Sequence, residues 1–180
     1  QVQLEATGAD ISATSLGNTV KGLNRDVTIR DIVSTYIFPN TLKTLSVTRA
    51  QLKCALERSA EYFAIDANGK LTVSQSFLTP IEQHFNYDYF SGIEAAFDIR
   101  RSVGDRVVSV KYKGEELSGD KRLTLCLNNY RASGAGGYDV YRRCETVREL
   151  PTEIAELIIA YVDKHRNITV DKHKWLNVIY

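Results

Sequence analysis

The sequence IEAAFDIRRSVGDRVVSVKYKGEELSGDKRLTLCL, residues 93–127, contains three runs that are rich in strand-forming residues. The runs are Ile93–Ile99, Arg106–Tyr112 and Arg122–Leu127, and turn residues that include Gly114 and Gly119 separate the last two. Short runs of this kind between glycine turns are typical of hairpins. We therefore predict that the three runs form an antiparallel meander.

Helix and strand patterns lie on both sides of this meander. Thr28 begins a capping-box spacing that predicts a short helix, which ends before Pro39. Four more segments are periodic: a strand over residues 41–47, a helix over 49–63, a helix that Pro151 opens, and a strand over 175–180. A meander with helices before and after it predicts an α+β (mixed α/β) fold, with a mixed, mostly antiparallel sheet and packed helices.

Composition and charge narrow the class of protein. The 180 residues are 43% apolar and 25% charged, as in an average folded domain. A net charge of +1 provides no field that would draw the chain to nucleic acid or an acidic membrane. No stretch approaches the roughly 18 apolar residues of a membrane span, and the three cysteines are too widely spaced to define a disulfide framework or zinc site. We expect a lead-in or linker over residues 1–27 and one domain over 28–180, with no nucleic-acid partner and no membrane span.

Residues 84–92, HFNYDYFSG, are one of two segments that the predicted elements do not absorb. Four aromatic residues fall within six positions, interleaved with Asn86 and Asp88. A platform on which a flat ring stacks would explain this pattern, because Asn86 or Asp88 could then hydrogen-bond the edge of the ring. An aromatic core followed by a turn is the alternative.

Residues 128–138, NNYRASGAGGY, are the other such segment, and three of four consecutive residues are glycine. Glycine allows the backbone to approach a ligand closely. The spacing matches neither the dinucleotide fingerprint nor the P-loop, so a phosphate-binding loop is not expected. A flexible loop is the alternative, but it leaves Tyr130 and Arg131 unexplained. One aromatic ring from each segment could hold a planar ligand, so the sequence favours a nucleoside-like small molecule.

Four short segments resemble the C-terminal domain of the 5′-nucleotidase family and follow the order of that family. They are Phe38–Leu42, Leu56–Phe63, Phe85–Asp88 with Ser91–Ile93, and Asn128–Gly134. The resemblance covers residues 28–180 and implies the fold of that domain. It also implies a parent enzyme in which a separate N-terminal metallophosphoesterase domain holds two divalent metal ions and hydrolyses the phosphate ester. The C-terminal domain then binds the nucleoside between two aromatic rings.

The resemblance assigns the stacking rings to particular positions. It places the second aromatic at Tyr130, at the start of a substrate loop that runs to Gly136. It places the first at Tyr87, with Tyr89 and Phe85 as alternatives. The candidate substrate-binding residues are Asn86, Tyr87, Asp88, Asn129, Tyr130, Arg131, Ala132, Ser133, Gly134, Ala135 and Gly136.

Gly136 stands where 5′-nucleotidases typically have an aspartate that holds the ribose hydroxyls. A ribose whose hydroxyls carry the phosphate cannot be held by the same carboxylate. The departure favours the branch of the family that hydrolyses 2′,3′-cyclic nucleotides and 3′-nucleotides to nucleosides and phosphate. The alternatives are a 5′-nucleotidase or UDP-sugar hydrolase, and a non-catalytic cell-surface binding module with the same fold.

The sequence offers little support for catalysis by this chain itself. The Gly-Asn-His and Gly-His-x-His motifs of the family's metal site do not occur, and His84, His165 and His173 lie far apart. We expect no metal, cofactor or catalytic residue here, so the chain alone should bind nucleosides without hydrolysing nucleotides. Glu57 and Glu61, at i and i+4, are expected to form a surface pair on their helix. Because family members are mostly exported, the resemblance implies a periplasmic, secreted or wall-attached parent.

Overall fold

A computed structural model describes residues 1–15, 17–18 and 20–180 of the chain. The helices are α1 Val2–Thr7, α2 Ile29–Thr35, α3 Arg49–Ala60, α4 Asn129–Ala132 and α5 Ile154–His165. The strands are β1 Ile11–Ser15, β2 Thr41–Thr48, β3 Phe63–Ile65, β4 Leu71–Val73, β5 Asp88–Ser91, β6 Glu94–Asp98, β7 Val107–Tyr112, β8 Glu115–Glu116, β9 Arg122–Asn128, β10 Glu145–Glu153 and β11 Leu176–Ile179. Short 3₁₀ turns cover Gln75–Phe77, His84–Asn86, Ala135–Gly137 and Asp139–Arg143.

The strands form two larger sheets and one hairpin. The order in the five-stranded sheet is β10-β2-β9-β1-β5, and the order in the four-stranded sheet is β11-β6-β7-β8, while β3 pairs with β4. Only two pairs of neighbours among the described residues are parallel, β1 with β9 and β11 with β6. The predicted α+β fold with mixed, mostly antiparallel sheets is confirmed.

The predicted three-stranded meander is wrong in its last strand. Strands β6, β7 and β8 are successive antiparallel neighbours, but β9 leaves this sheet and lies between β2 and β1 in the other one. The side chains of β9 explain the difference, since Leu123, Leu125, Cys126 and Leu127 are all buried. A strand with both faces buried belongs in the middle of a covered sheet, and the exposed two-residue β8 does not extend far enough to cover it.

One hydrophobic cluster connects the two sheets through α3. It includes Leu45 and Leu125 of the five-stranded sheet, Phe97 and Val110 of the four-stranded sheet, and Leu56 of α3. Both predicted helix starts are confirmed, because α2 and α3 each begin with a complete capping box, at Thr28 and Thr48. The cluster orients α3 across the sheets, with its last turn directed to the loops described below.

The predicted lead-in over residues 1–27 is wrong for its first part. Strand β1 is hydrogen-bonded between β9 and β5, and its residues Ile11 and Ala13 are buried in the core. Asp10, just before β1, accepts hydrogen bonds from the backbone and the hydroxyl of Thr124, both at 2.8 Å. Residues 1–15 are thus part of the domain, and residues 16 and 19 of the predicted segment lie outside the described residues.

Pro151 lies in edge strand β10 and does not open the last helix, which begins at Ile154. The pairing of β10 with β2 shifts register between Leu150 and Glu153, and proline is tolerated at such an irregularity in an edge strand because no ladder donor is needed there. At 12 residues each, α3 and α5 are the longest helices described, and no described helix combines the length and apolarity that crossing a bilayer requires.

Glu57 is not part of a surface pair. Its side chain is buried, and its two carboxylate oxygens accept hydrogen bonds from the backbone N–H groups of Arg106 and Val107, each at 2.9 Å. Glu61 instead pairs with Arg58 on the same helix. The predicted i, i+4 pair is wrong because the loop before β7 packs against α3 and brings two free backbone donors to Glu57.

Candidate functional site

The two segments that no predicted helix or strand explains, residues 84–92 and 128–138, both lie at one end of the five-stranded sheet. We call this end the loop end. Antiparallel pairing sets Leu42 of β2 opposite Asn128 of β9, and Ser15 of β1 opposite Asp88 of β5. Since β1 and β9 are parallel, the ends of β9 and β1 and the starts of β2 and β5 all lie there. The sheet topology thus brings residues 84–88 close to residues 128–138, although they are far apart in sequence.

A buried ion pair joins these two segments. The side chains of Arg131 and Asp88 are each only 2% exposed, and Arg131 Nε lies 3.0 Å from the Asp88 carboxylate. Arg131 Nη2 donates to the carbonyl of Phe85 at 2.6 Å, and Nη1 donates to the carbonyl of Ala135 at 2.5 Å. The guanidinium also lies 4.5 Å from the centre of the Tyr138 ring. One side chain therefore holds the segment before β5 against the segment after β9.

The predicted substrate-binding role of Arg131, Asp88 and Asn86 stays a prediction, but the structure buries all three side chains. Asn86 Nδ2 donates to Gln83 Oε1 at 2.8 Å. Burial raises the pKa of the Asp88 carboxyl to about 6, although the charge of Arg131 opposes this effect. These side chains position the loops, because none of them offers surface to a ligand.

Tyr130 has the exposure that a stacking platform requires. Its ring is 50% exposed on the short helix α4. Asn128 caps this helix by accepting from the backbone N–H of Arg131 at 2.6 Å, and Asn129 Oδ1 accepts from the backbone N–H of Thr41 at 3.2 Å. The two asparagines thus fix Tyr130 relative to the start of β2.

Tyr87 also lies at the loop end, but the protein itself contacts its ring. The ring stacks on Tyr62 with centroids 4.7 Å apart and meets the edge of Phe63 at 5.5 Å. Burial raises the pKa of the Tyr87 hydroxyl. Tyr62 therefore already covers one face of the Tyr87 ring. The role of Tyr87 as the first stacking aromatic stays a prediction. Of the two alternatives, Phe85 is half-buried and Tyr89 is exposed on β5.

Phe38 is a candidate that the sequence analysis did not single out. Its side chain is 54% exposed and precedes β2 at the loop end. Burial raises the pKa of the Tyr36 phenol, which lies nearby in this segment. Since β2 and β9 are adjacent, Phe38 and Tyr130 leave neighbouring strands at the same end. The string Phe38–Leu42 is the signal in the sequence: it supports the family resemblance and the end of a helix, but it does not by itself indicate a stacking role for Phe38.

The remaining candidate residues form the segment after α4. Ala132 is buried, while Ser133 is exposed and its Oγ donates to the carbonyl of Tyr130 at 2.7 Å. Gly136 has φ +74°, and a Cβ at this position would overlap Arg131 Nη1 and Asn86 Oδ1. A larger residue at position 136 is therefore excluded as long as Arg131 occupies its present place.

The histidines have acidic neighbours that are not arranged for metal binding. His165 Nε2 lies 2.9 Å from Glu5, and His173 Nε2 lies 3.0 Å from Glu94. Both histidines end an Asp-x-His sequence, at residues 163–165 and 171–173. Over residues 1–15, 17–18 and 20–180, no group of three or more His, Cys, Asp or Glu side chains is placed to hold a metal ion.

Comparison with known proteins places the chain in a family. Residues 1–143 match the family model described as the 5′-nucleotidase C-terminal domain. The chain therefore belongs to the 5′-nucleotidase C-terminal domain family, and the match includes the segment with α1 and β1.

Relatives within this family are nucleotide phosphoesterases and nucleotidases. The chain is 24% identical over 157 residues to a trifunctional nucleotide phosphoesterase of Bacillus subtilis, covering 79% of the chain and 10% of that protein. It is 28% identical over 125 residues to a 2′,3′-cyclic-nucleotide 2′-phosphodiesterase/3′-nucleotidase of Haemophilus influenzae, covering 60% of the chain and 18% of that protein. Among solved structures, a Staphylococcus aureus protein described as a 5′-nucleotidase superimposes with a TM-score of 0.93 at 37% identity, over 99% of the chain and 35% of that protein. The chain thus spans a small part of the curated relatives and about a third of this structure.

Proposed function

We propose that the chain is the nucleoside-binding domain of a nucleotide phosphohydrolase and that Tyr130 and Phe38 hold the base between them. The observation that carries this proposal is the pair of half-exposed aromatic rings at the loop end, Phe38 just before β2 and Tyr130 just after β9, where β2 and β9 are adjacent strands. Neighbouring strands are about 4.8 Å apart, so the segments that carry the two rings leave the sheet close together, as a base held between two rings requires. The hydrogen bond from Thr41 to Asn129 supports a fixed spacing between the two segments.

The proposed substrates are 2′,3′-cyclic nucleotides and 3′-nucleotides, which would be hydrolysed to nucleosides and phosphate. Two observations support this choice over a 5′-nucleotidase or UDP-sugar hydrolase. One relative carries the matching name, and no carboxylate can stand at Gly136 beside Arg131 to bind a free ribose diol. A non-catalytic surface module would bind the same nucleosides without a catalytic partner.

Hydrolysis belongs, in this proposal, to a metallophosphoesterase domain elsewhere in the same parent protein. Two divalent metal ions bound there would activate water and stabilise charge on the phosphate. The described residues of this chain do not fit such a site, because its histidines pair with single glutamates. The part that this chain plays is to bind the nucleoside and present its phosphate. Export of the parent protein is also proposed, on the family resemblance alone, and fractionation of cells would test it.

The test is calorimetric titration with adenosine, 3′-AMP, 2′,3′-cyclic AMP and 5′-AMP. Tyr130→Ala and Phe38→Ala should each weaken adenosine binding, because the loss of one stacking ring costs about 1–3 kcal/mol, or about 5- to 150-fold in Kd. Tyr180→Ala is the matched control, since this exposed tyrosine follows β11 of the other sheet.

The outcomes separate the alternatives. Unchanged affinity for both the Tyr130 and Phe38 variants would refute the proposed base site. A loss with Tyr87→Ala but none with Phe38→Ala would assign the first ring to Tyr87 instead. In the full-length protein, faster turnover of 5′-AMP than of 3′-AMP and 2′,3′-cyclic AMP would favour the 5′-nucleotidase alternative.

A further inference from the structure

Three arginines surround the segment Ser133–Gly137, which we call the glycine loop. Arg142 Nε donates to the carbonyl of Ser133 at 2.9 Å, Arg131 Nη1 to that of Ala135 at 2.5 Å, and Arg58 Nε to that of Gly136 at 2.9 Å. They come from three different places in the fold: Arg58 from α3, Arg131 from α4, and Arg142 from the 3₁₀ turn after the loop. Three carbonyl groups of one short loop are thus held by cationic side chains.

Each arginine also fills the space beside one glycine. A Cβ on Gly134 would lie 2.5 Å from Arg142 Nε, a Cβ on Gly137 would lie 2.6 Å from Arg58 Nε, and a Cβ on Gly136 would overlap Arg131 Nη1. All three glycines have positive φ, between +74° and +87°. The density of glycine in this loop is therefore explained by the packing of arginines. Close approach of a ligand to the backbone, the reason that the glycine pattern favours in the sequence, is not required to account for it.

Among the three, Arg131 is directly connected to the proposed base site. It follows Tyr130 on α4, and its guanidinium bonds the glycine loop, the carbonyl of Phe85 and the carboxylate of Asp88 at the same time. Asp88 is the first residue of β5, so these bonds attach α4 to a strand of the sheet. A lysine could not replace them, because its single ammonium cannot reach three acceptors in different directions.

We propose that Arg131 is a positioning residue for nucleoside binding: it sets the place of Tyr130 by locking α4 and the glycine loop to β5. This inference rests on the proposed function, since it takes Tyr130 to be a stacking ring. Arg131 itself is buried, so its side chain offers almost no surface to a ligand. Loosening α4 moves the Tyr130 ring out of its stacking position, and loss of one stacking ring weakens binding by about 5- to 150-fold, so the affinity should fall strongly.

The test uses the full-length protein and measures KM and kcat separately with 3′-AMP. Arg131→Lys keeps the charge next to Asp88 and should raise KM by about tenfold or more, with kcat within about twofold, because the loss concerns ground-state and transition-state binding alike. A double variant, Arg131→Gln with Asp88→Asn, removes both buried charges together and should show the same pattern. The matched control is Arg100→Gln with Asp98→Asn, which neutralises the ion pair between the exposed Arg100 and the partly buried Asp98 of β6, in the other sheet, and should leave both constants unchanged.

A second test uses the overlap between the Arg131 guanidinium and any residue larger than glycine at position 136. Gly136→Ala should raise KM in the wild-type background, because the new methyl group displaces the Arg131 guanidinium. In the Arg131→Gln, Asp88→Asn background the overlap with Arg131 is relieved, while the overlap with Asn86 Oδ1 and the positive φ remain. The same change should therefore raise KM by a smaller factor than it does in the wild-type background, which is the non-additivity expected of residues in contact.

The results distinguish this inference from the proposed function. If Tyr130→Ala raises KM while Arg131→Lys has the wild-type KM, the positioning role is overturned and the base site stands. If Tyr130→Ala also leaves KM unchanged, the proposed base site itself fails. A fall in kcat at unchanged KM in Arg131→Lys would also overturn the positioning role, since it would indicate an effect on the chemical step.

Discussion

Replacing Glu57 with alanine should destabilise the domain far more than replacing Glu61, although the two glutamates lie one turn apart on α3. The Glu57 carboxylate accepts from two backbone N–H groups, those of Arg106 and Val107, each at 2.9 Å. Glu61 is bonded to Arg58 on the same helix and is only partly buried. Alanine at 57 leaves two backbone donors without their acceptor, whereas alanine at 61 leaves an arginine that water can reach.

The magnitude follows from these two bonds. A hydrogen bond to a charged acceptor is worth about 1.5–3 kcal/mol, so we expect Glu57→Ala to lower the free energy of unfolding by about 3–5 kcal/mol. Loss of a partly exposed ion pair costs about 0–1 kcal/mol, which is the expectation for Glu61→Ala. In a domain of this size each kcal/mol corresponds to about 2–4 °C in Tm, so the two variants should differ by about 10 °C.

Urea unfolding followed by circular dichroism would measure both variants. Glu57→Gln is a useful third variant, because its amide offers one oxygen to two donors and should fall between alanine and the wild type. If Glu57→Ala and Glu61→Ala agree within about 0.5 kcal/mol, the backbone donors of the loop before β7 do not depend on Glu57, and the reasoning is refuted.

Three further predictions concern other parts of the domain. Because burial raises the pKa of the Asp88 carboxyl above its usual value, the folded state binds this proton more tightly than the unfolded state, so the wild type should lose stability as pH rises from about 4 to about 6, and urea titrations of Asp88→Asn should show a flatter profile. The Tm of Gly92→Ala should be well below the Tm of Gly104→Ala. Both glycines have φ near +90°, but a Cβ at position 92 would overlap the carbonyl of Asp10, whereas a Cβ at position 104 has nothing within 4 Å. Equal Tm values would contradict this. Thr48→Ala should cost about 1 kcal/mol in the same unfolding assay through loss of the α3 cap, and a value near zero would show that the capping box does not stabilise α3.

Local sequence signals were sufficient for the elements whose stability is local. The capping boxes at Thr28 and Thr48 mark the starts of α2 and α3, since cap and helix are neighbours in the chain. The short strand near the C-terminus was predicted as well, and it forms β11. Segments 84–92 and 128–138 were singled out because aromatic and glycine residues at that density do not fit an ordinary helix or strand. These features depend on residues a few positions apart, which a single sequence displays directly.

Other predictions failed because they depended on the partner of each segment. Whether β9 pairs with β7 or with β2 is decided by which sheet can cover both of its faces, and the strand itself looks the same in either case. The place of Glu57 was likewise set by a loop 49 residues further along the chain. Strand β1 was missed because it is only 5 residues long and gains its stability from β9 and β5 on either side.

The sequence by itself determined the class of fold, the starts of α2 and α3, the family resemblance and the two segments from which the candidate site is built. Only the tertiary structure decided the roles within those segments. It buries Arg131 and Asp88 against each other, covers one face of Tyr87 with Tyr62, and leaves Phe38 and Tyr130 exposed beside the ends of adjacent strands. The physical reason is that exposure and ion pairing depend on contacts between residues far apart in the sequence, such as Arg131 and Asp88, which the tertiary fold creates and local sequence patterns do not record.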